Sequence, residues 1–137
     1  MRMMLAVFLG MVAGGLAWAD APAVDYTGHY ELADAKADRV FSLDVTQTGA
    51  QADVSFSASM ADGSGAAPDG DGKGQVDKTS TLTFTFKDSF GNEGTGTLEK
   101  QKDGFHLHLS ATQVAEPRPL RFYGDILLKK TADKPSP

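Results

Sequence analysis

The chain has 137 residues, 41% of them hydrophobic and 23% charged, the composition of one folded domain rather than a disordered segment. Its 13 basic and 18 acidic residues give a formal net charge of -5, which argues against a nucleic-acid binder. The absence of cysteine excludes disulfides, thiol catalysis, cysteine-held metal centres and lipid attachment at an N-terminal Cys.

Residues 1–19, MRMMLAVFLGMVAGGLAWA, carry one charge, Arg2, ahead of an apolar run broken only by glycines. Ala17-Trp18-Ala19 places small residues where a signal peptidase needs them, so cleavage is expected between Ala19 and Asp20. An uncleaved anchor is the alternative, but the run is shorter than the roughly 20 residues of a spanning helix. Removing residues 1–19 takes away Arg2 and no acid, leaving 12 basic and 18 acidic residues, net -6. The mature chain is expected in the periplasm or outside the cell, with no membrane span and no disulfide, its core stabilised by packing alone.

The mature chain reads as strands. Phe41, Leu43 and Val45 alternate with Ser42, Asp44 and Thr46. Val54, Phe56, Ala58 and Met60 alternate with polar residues, as do Leu82, Phe84 and Phe86, and Phe105, Leu107 and Leu109. A period of two marks half-buried antiparallel strands. Glu31–Asp38, rich in helix formers, is the stretch nearest to a helical turn. Thr48-Gly49, residues 88–94 and Asp103-Gly104 supply turn chemistry between the runs.

Eight strands are expected, near 26–32, 39–48, 51–60, 72–78, 80–88, 94–101, 104–114 and 120–130. Short connections favour an up-and-down meander, which with one continuous apolar face closes into an all-β, eight-stranded antiparallel barrel. A β-sandwich built from the same hairpins is the alternative. The domain then covers residues 20–130, and 131–137 form a disordered tail.

Gly28-His29-Tyr30 on the first strand and Arg121 entering the last resemble calycin-type barrels: lipocalins, fatty-acid-binding proteins, avidins and small bacterial inhibitors. In many of these a Gly-x-Trp on the first strand meets an Arg near the last. The resemblance implies the fold, with Tyr30 in the Trp position and Arg121 as its cation. In size and strand content the chain is also similar to small periplasmic lysozyme inhibitors.

Several constellations could carry chemistry. His106 and His108 share one strand face and could bite a divalent metal; equally they belong to the wet face. The Gly- and Asp-rich segment 61–77 contains Asp69-Gly-Asp71-Gly-Lys73-Gly74, like a calcium loop, but Lys73 and Ser80 stand where ligands are needed. The plainer reading is a flexible solvated loop. No Gly-x-Ser-x-Gly or other nucleophile signature occurs, so no catalytic residue and no cofactor is expected.

Two loops hold interface-type residues: Phe90, Asn92 and Glu93 in residues 88–94, and Glu116 with Arg118 between two prolines. Phe90 could instead fold back to cap the barrel. Tyr30, Phe56, Phe84, Phe86 and Phe105 are inward candidates that either fill the core or line a calyx for a small apolar ligand. The expected function is thus a non-catalytic, exported binding protein, leaning to recognition of a protein partner or inhibition of a basic cell-wall or proteolytic hydrolase. The alternative is a carrier or sensor of a small apolar ligand. Intact-mass measurement of exported protein should give an N-terminus at Asp20; a mass retaining Met1–Ala19 would refute the cleaved form.

Overall fold

The structure is a computed structural model that describes residues 24–136; the expected signal peptide and its cleavage site lie outside them. The alternating runs form β1 (Gly28–Leu32), β2 (Arg39–Thr48), β3 (Gln51–Met60), β4 (Asp69–Val76), β5 (Thr81–Asp88), β6 (Glu93–Gln101), β7 (Gly104–Gln113) and β8 (Gly124–Ala132). Each pairs antiparallel with the next, and β1 closes on β8, giving a closed up-and-down barrel. The sandwich alternative is therefore set aside.

Three expectations need correction. The fourth strand, expected near 72–78, is β4 at Asp69–Val76, so it takes in the Asp- and Gly-rich stretch also read as a flexible or calcium-binding loop. Its alternation turns Asp69, Asp71 and Lys73 outward, so the two carboxylates line a strand face and do not wrap around a centre. The last strand starts at Gly124, because Arg118–Phe122 form a 3-10 helix with Pro119 early in it, a position that needs no ladder donor. β8 also runs to Ala132, beyond the expected end at 130. The stretch from Ala33 to Asp38 makes turns, not a helix.

Interior volume is taken up by rings set against glycines. Phe56 stands opposite Gly70, Phe84 opposite Gly74 and Gly96, and Phe86 opposite Gly72 and Gly94. A Cβ at Gly70, Gly94 or Gly96 would collide with the facing ring, and one at Gly72 or Gly74 with the β5 backbone. Glycine weakens an ordinary strand, but here it is the residue that lets a ring lie across its neighbour. The rings also meet one another: Phe41 stacks on Phe56 at 5.7 Å, and Phe56 meets Phe86 edge-on at 5.2 Å. Such edge-on contacts suit the ring quadrupole.

The β1–β8 seam is short and has a register shift between His29 and Tyr30. The resemblance placed Arg121 on the first-strand aromatic, but Arg121 lies in the 3-10 helix and stacks on Phe122. The cation over Tyr30 is Lys130 of β8, with Nζ 5.5 Å from the ring centre and 5.9 Å from that of Phe105. Its ammonium also donates to the Thr27 carbonyl at 3.0 Å, which ties the seam to the segment before β1.

The ring-on-glycine arrangement predicts coupled substitutions. Phe84→Ala should cost about 3–5 kcal/mol through the cavity it leaves. Gly96→Ala should cost about 1–3 kcal/mol by overpacking. The double variant should cost less than the sum, because the added methyl enters the vacated space. Urea unfolding of the three variants measures this, and strict additivity would show the two sites to be independent.

Candidate functional site

In a closed meander, alternate connections lie at the same end. One end holds the tight turns 49–50, 77–80 and 102–103; the other holds the longer loops 33–38, 61–68, 89–92 and 114–123. The segment before β1 covers the turn end. Tyr26 is fully buried there; its hydroxyl donates to the Ser80 carbonyl and accepts from the Lys100 N–H at 3.2 Å.

The β7–β8 connection crosses the loop end. Pro119 and Phe122 are buried beneath it. Arg39 of β2 donates from Nη1 to the Arg121 carbonyl at 2.9 Å, and the Tyr123 hydroxyl donates to Asp88 Oδ2 at 2.5 Å. The Tyr123 ring packs on Phe86 at 5.5 Å and on Phe56 at 6.0 Å. The long loop is thus anchored to β2, β3 and β5 at once.

Asn92 was expected at a partner surface, and the structure corrects this. It is 0% exposed and every polar atom of its side chain is engaged. Nδ2 donates to Asp88 Oδ2 at 2.9 Å and to the Glu116 carbonyl at 2.8 Å. Oδ1 accepts from the N–H groups of Ala115 and Glu116 at 2.7 and 2.9 Å. Asn92 is the pin that fastens the β5–β6 tip to the β7–β8 loop. Asp88 completes the pin by accepting from the N–H groups of Phe90 and Asn92 at 2.8 and 3.0 Å.

This pin brings the two loops singled out in the sequence together. The Arg118 guanidinium lies 5.9 Å from the Phe90 ring centre, and its Nε meets Glu116 Oε2 at 3.2 Å. Glu116 Oε2 also accepts the Arg118 N–H at 3.0 Å, so one carboxylate orders both backbone and side chain. Phe90 is half-buried, leaving part of its ring outward. Glu93 is exposed and faces Lys87 at 4.0 Å, at the margin of this cluster.

Two further arginines belong to the same end: Arg121, singled out in the sequence for another place, and Arg39, which was not singled out. Arg39 lies over the Phe122 ring at 5.6 Å and Arg121 at 5.1 Å. Every arginine among the described residues therefore stacks on a phenylalanine at the loop end. Arg39 had a legible signal: it shares strand parity with buried Phe41 and Leu43, so it occupies an inward position.

The inward aromatic candidates split into two groups. Phe56, Phe84 and Phe86 pack together toward the loop end with exposures of 4% or less, while Tyr30 and half-buried Phe105 meet at 4.9 Å toward the turn end. The histidines do not converge. His106 Nε2 meets Asp103 at 2.8 Å and His108 Nδ1 meets Asp125 at 2.8 Å. Among the described residues no three His, Asp or Glu side chains gather as a metal site. His29 sits between Asp44 at 2.7 Å and Glu31 at 3.1 Å. The hydrogen bond to Asp44 raises its pKa, against some desolvation.

No family model, curated protein or solved structure matches the chain.

Burial opposes charge on Asp88, but hydrogen bonds from Tyr123, Asn92 and Phe90 outweigh it and hold the carboxyl below its ordinary 3.8. A depressed folded pKa contributes stability above the unfolded value, and that contribution is lost as pH falls through the folded value. Asp88→Asn should therefore destabilise the protein at neutral pH. Its deficit against the wild type should shrink as pH drops below 3.8. Thermal melts across that range read the difference, and a constant deficit would contradict a charged Asp88.

Proposed function

We propose that this chain is an exported, non-catalytic binding protein that recognises a protein partner with the loop end of its barrel. The partner class favoured is a basic secreted hydrolase, acting on cell walls or on proteins, which the chain inhibits. One observation supports this above all: Phe90, Glu116 and Arg118, on loops 24 or more residues apart, form one cluster fastened by the buried Asn92. Arg and aromatic side chains on a pre-ordered surface are the groups that anchor protein interfaces, because little freedom is lost when they bind. The acidic balance of the chain favours encounter with a basic partner.

A calyx-type carrier draws less support. Tyr30, Phe56, Phe84 and Phe86 use their ring faces on one another and on strand glycines, which leaves them little surface for a ligand.

Purified mature protein should inhibit or bind at least one member of a panel of lysozymes and proteases. Phe90→Ala should weaken that binding by more than about 1 kcal/mol, Arg118→Ala should do likewise, and Lys87→Ala should have little effect. Glu93→Lys should slow association, with added salt slowing the wild type in the same way, since exposed charges are screened beyond roughly 8–10 Å. Absence of binding across the panel at low salt would remove this reading.

A further inference from the structure

We propose that His29, Asp44, Glu31 and Ser136 form a pH-sensitive clasp on the outer wall of the barrel, which holds the closing strand β1 and the C-terminal tail to β2 firmly while the His29 ring is protonated and weakly once it is neutral. β1 has five residues and lies between β2 and β8. His29 stands directly opposite Asp44 of β2. The tail leaves β8 at Ala132 and by Ser136 has reached Asp44, so it spans β1 from one neighbour to the other. Ser136 donates its N–H to Asp44 Oδ1 at 2.7 Å, and its hydroxyl lies 3.0 Å from His29 Nδ1. Pro135 beside it is half-buried. The His29 and Asp44 side chains are only 17% and 20% exposed, so the pair is screened less than one on open surface.

Proton count makes the clasp a switch. Both ring nitrogens face carboxylate oxygens: Nδ1 meets Asp44 at 2.7 Å and Nε2 meets Glu31 at 3.1 Å. An ionised carboxylate only accepts, so both bonds need a ring that donates from both nitrogens, and only the imidazolium does. A neutral ring keeps one N–H. One carboxylate then faces a bare nitrogen, and the ion pair between β1 and β2 is gone in either tautomer. Beyond these two carboxylates, β8 presents Lys129, opposite Glu31, and the neutral Thr131, whose hydroxyl donates to the His29 carbonyl at 3.3 Å. The tail adds Asp133 and Lys134. The Asp44 hydrogen bond, with Glu31 adding to it and desolvation opposing, raises the ring above its ordinary 6.5. A raised folded pKa gives stability that is whole below 6.5 and is lost as pH rises through the folded value. The clasp shares no residue with the Phe90–Arg118 cluster, so the two proposals stand or fall separately.

The test uses the whole mature chain, scanned from below to above the ring's ordinary 6.5. In the unmodified protein the Ser136 amide resonance should shift with the same midpoint as the His29 ring. The β1 amides beyond Tyr30 should exchange more slowly in the unmodified protein than in His29→Gln at low pH, and that gap should close as the ring loses its proton. Both proteins share the same intrinsic exchange rate at a given pH, and His106 and His108 titrate alike in both, so the gap reads His29 alone. Asp44→Ala, at an outward position, should move the ring midpoint down toward 6.5 and leave Ser136 mobile by heteronuclear NOE. A Ser136 amide that does not follow the ring, a Ser136 that stays ordered in Asp44→Ala, or an exchange gap that does not change with pH would each overturn the proposal.

Discussion

The contact between a phenylalanine ring on one strand and a glycine on the next decides how this barrel is filled. An eight-stranded barrel has an interior only about as wide as its own side chains. β3 and β5 contribute rings; β4 and β6 contribute the space for them, at Gly70, Gly72, Gly74, Gly94 and Gly96. Neither strand set would pack alone. Rings facing bulky neighbours would overfill the interior, and glycines facing small residues would leave voids, each at a cost of a few kcal/mol. The pairing also explains how a barrel with no disulfide holds a defined shape.

The loop end inherits its order from that packing. Phe86 and Phe56 offer a fixed floor on which Tyr123 rests, and Tyr123 in turn reaches the Asp88 carboxylate. Asp88 and Asn92 then satisfy one another and the incoming backbone of residues 115 and 116. A buried polar network of this kind stabilises only when every member is satisfied, and here each side-chain polar atom of Asn92 is. The groups beyond it, half-buried Phe90 and Glu116 and exposed Arg118, stand on a rigid base.

Much of the barrel is legible in the sequence because a period of two survives along β2, β3, β5 and β7. β4 is harder to see. Three of its four inward positions are glycines, so the hydrophobic signal is missing where the facing strands supply the rings, and DGDGKG looks like a loop. The 3-10 helix is hidden for a related reason: Pro117 and Pro119 signal a break, but not that the break folds over the mouth. Asn92 is an exposed turn residue by composition and becomes a buried pin only through Glu116, 24 residues away. Lys130 and Arg121 could not be told apart as the cation over Tyr30 until the register of β8 was known.

The β1–β8 seam has a consequence for how the chain reaches this shape. Seven of the eight strand pairings join neighbours in sequence, whereas Tyr30 pairs with Lys130 across 100 residues. Closing a long loop costs conformational entropy that grows only slowly with its length, but no part of that cost is recovered until the ends meet. The hairpins can therefore assemble as an open, curling ribbon, with the seam closing last and setting the folding rate. Until it closes, β1 and β8 are free edges of the kind that recruit strands from other chains. In the closed barrel Lys130, reaching from β8 over Tyr30 to the Thr27 carbonyl, fastens these two edges together.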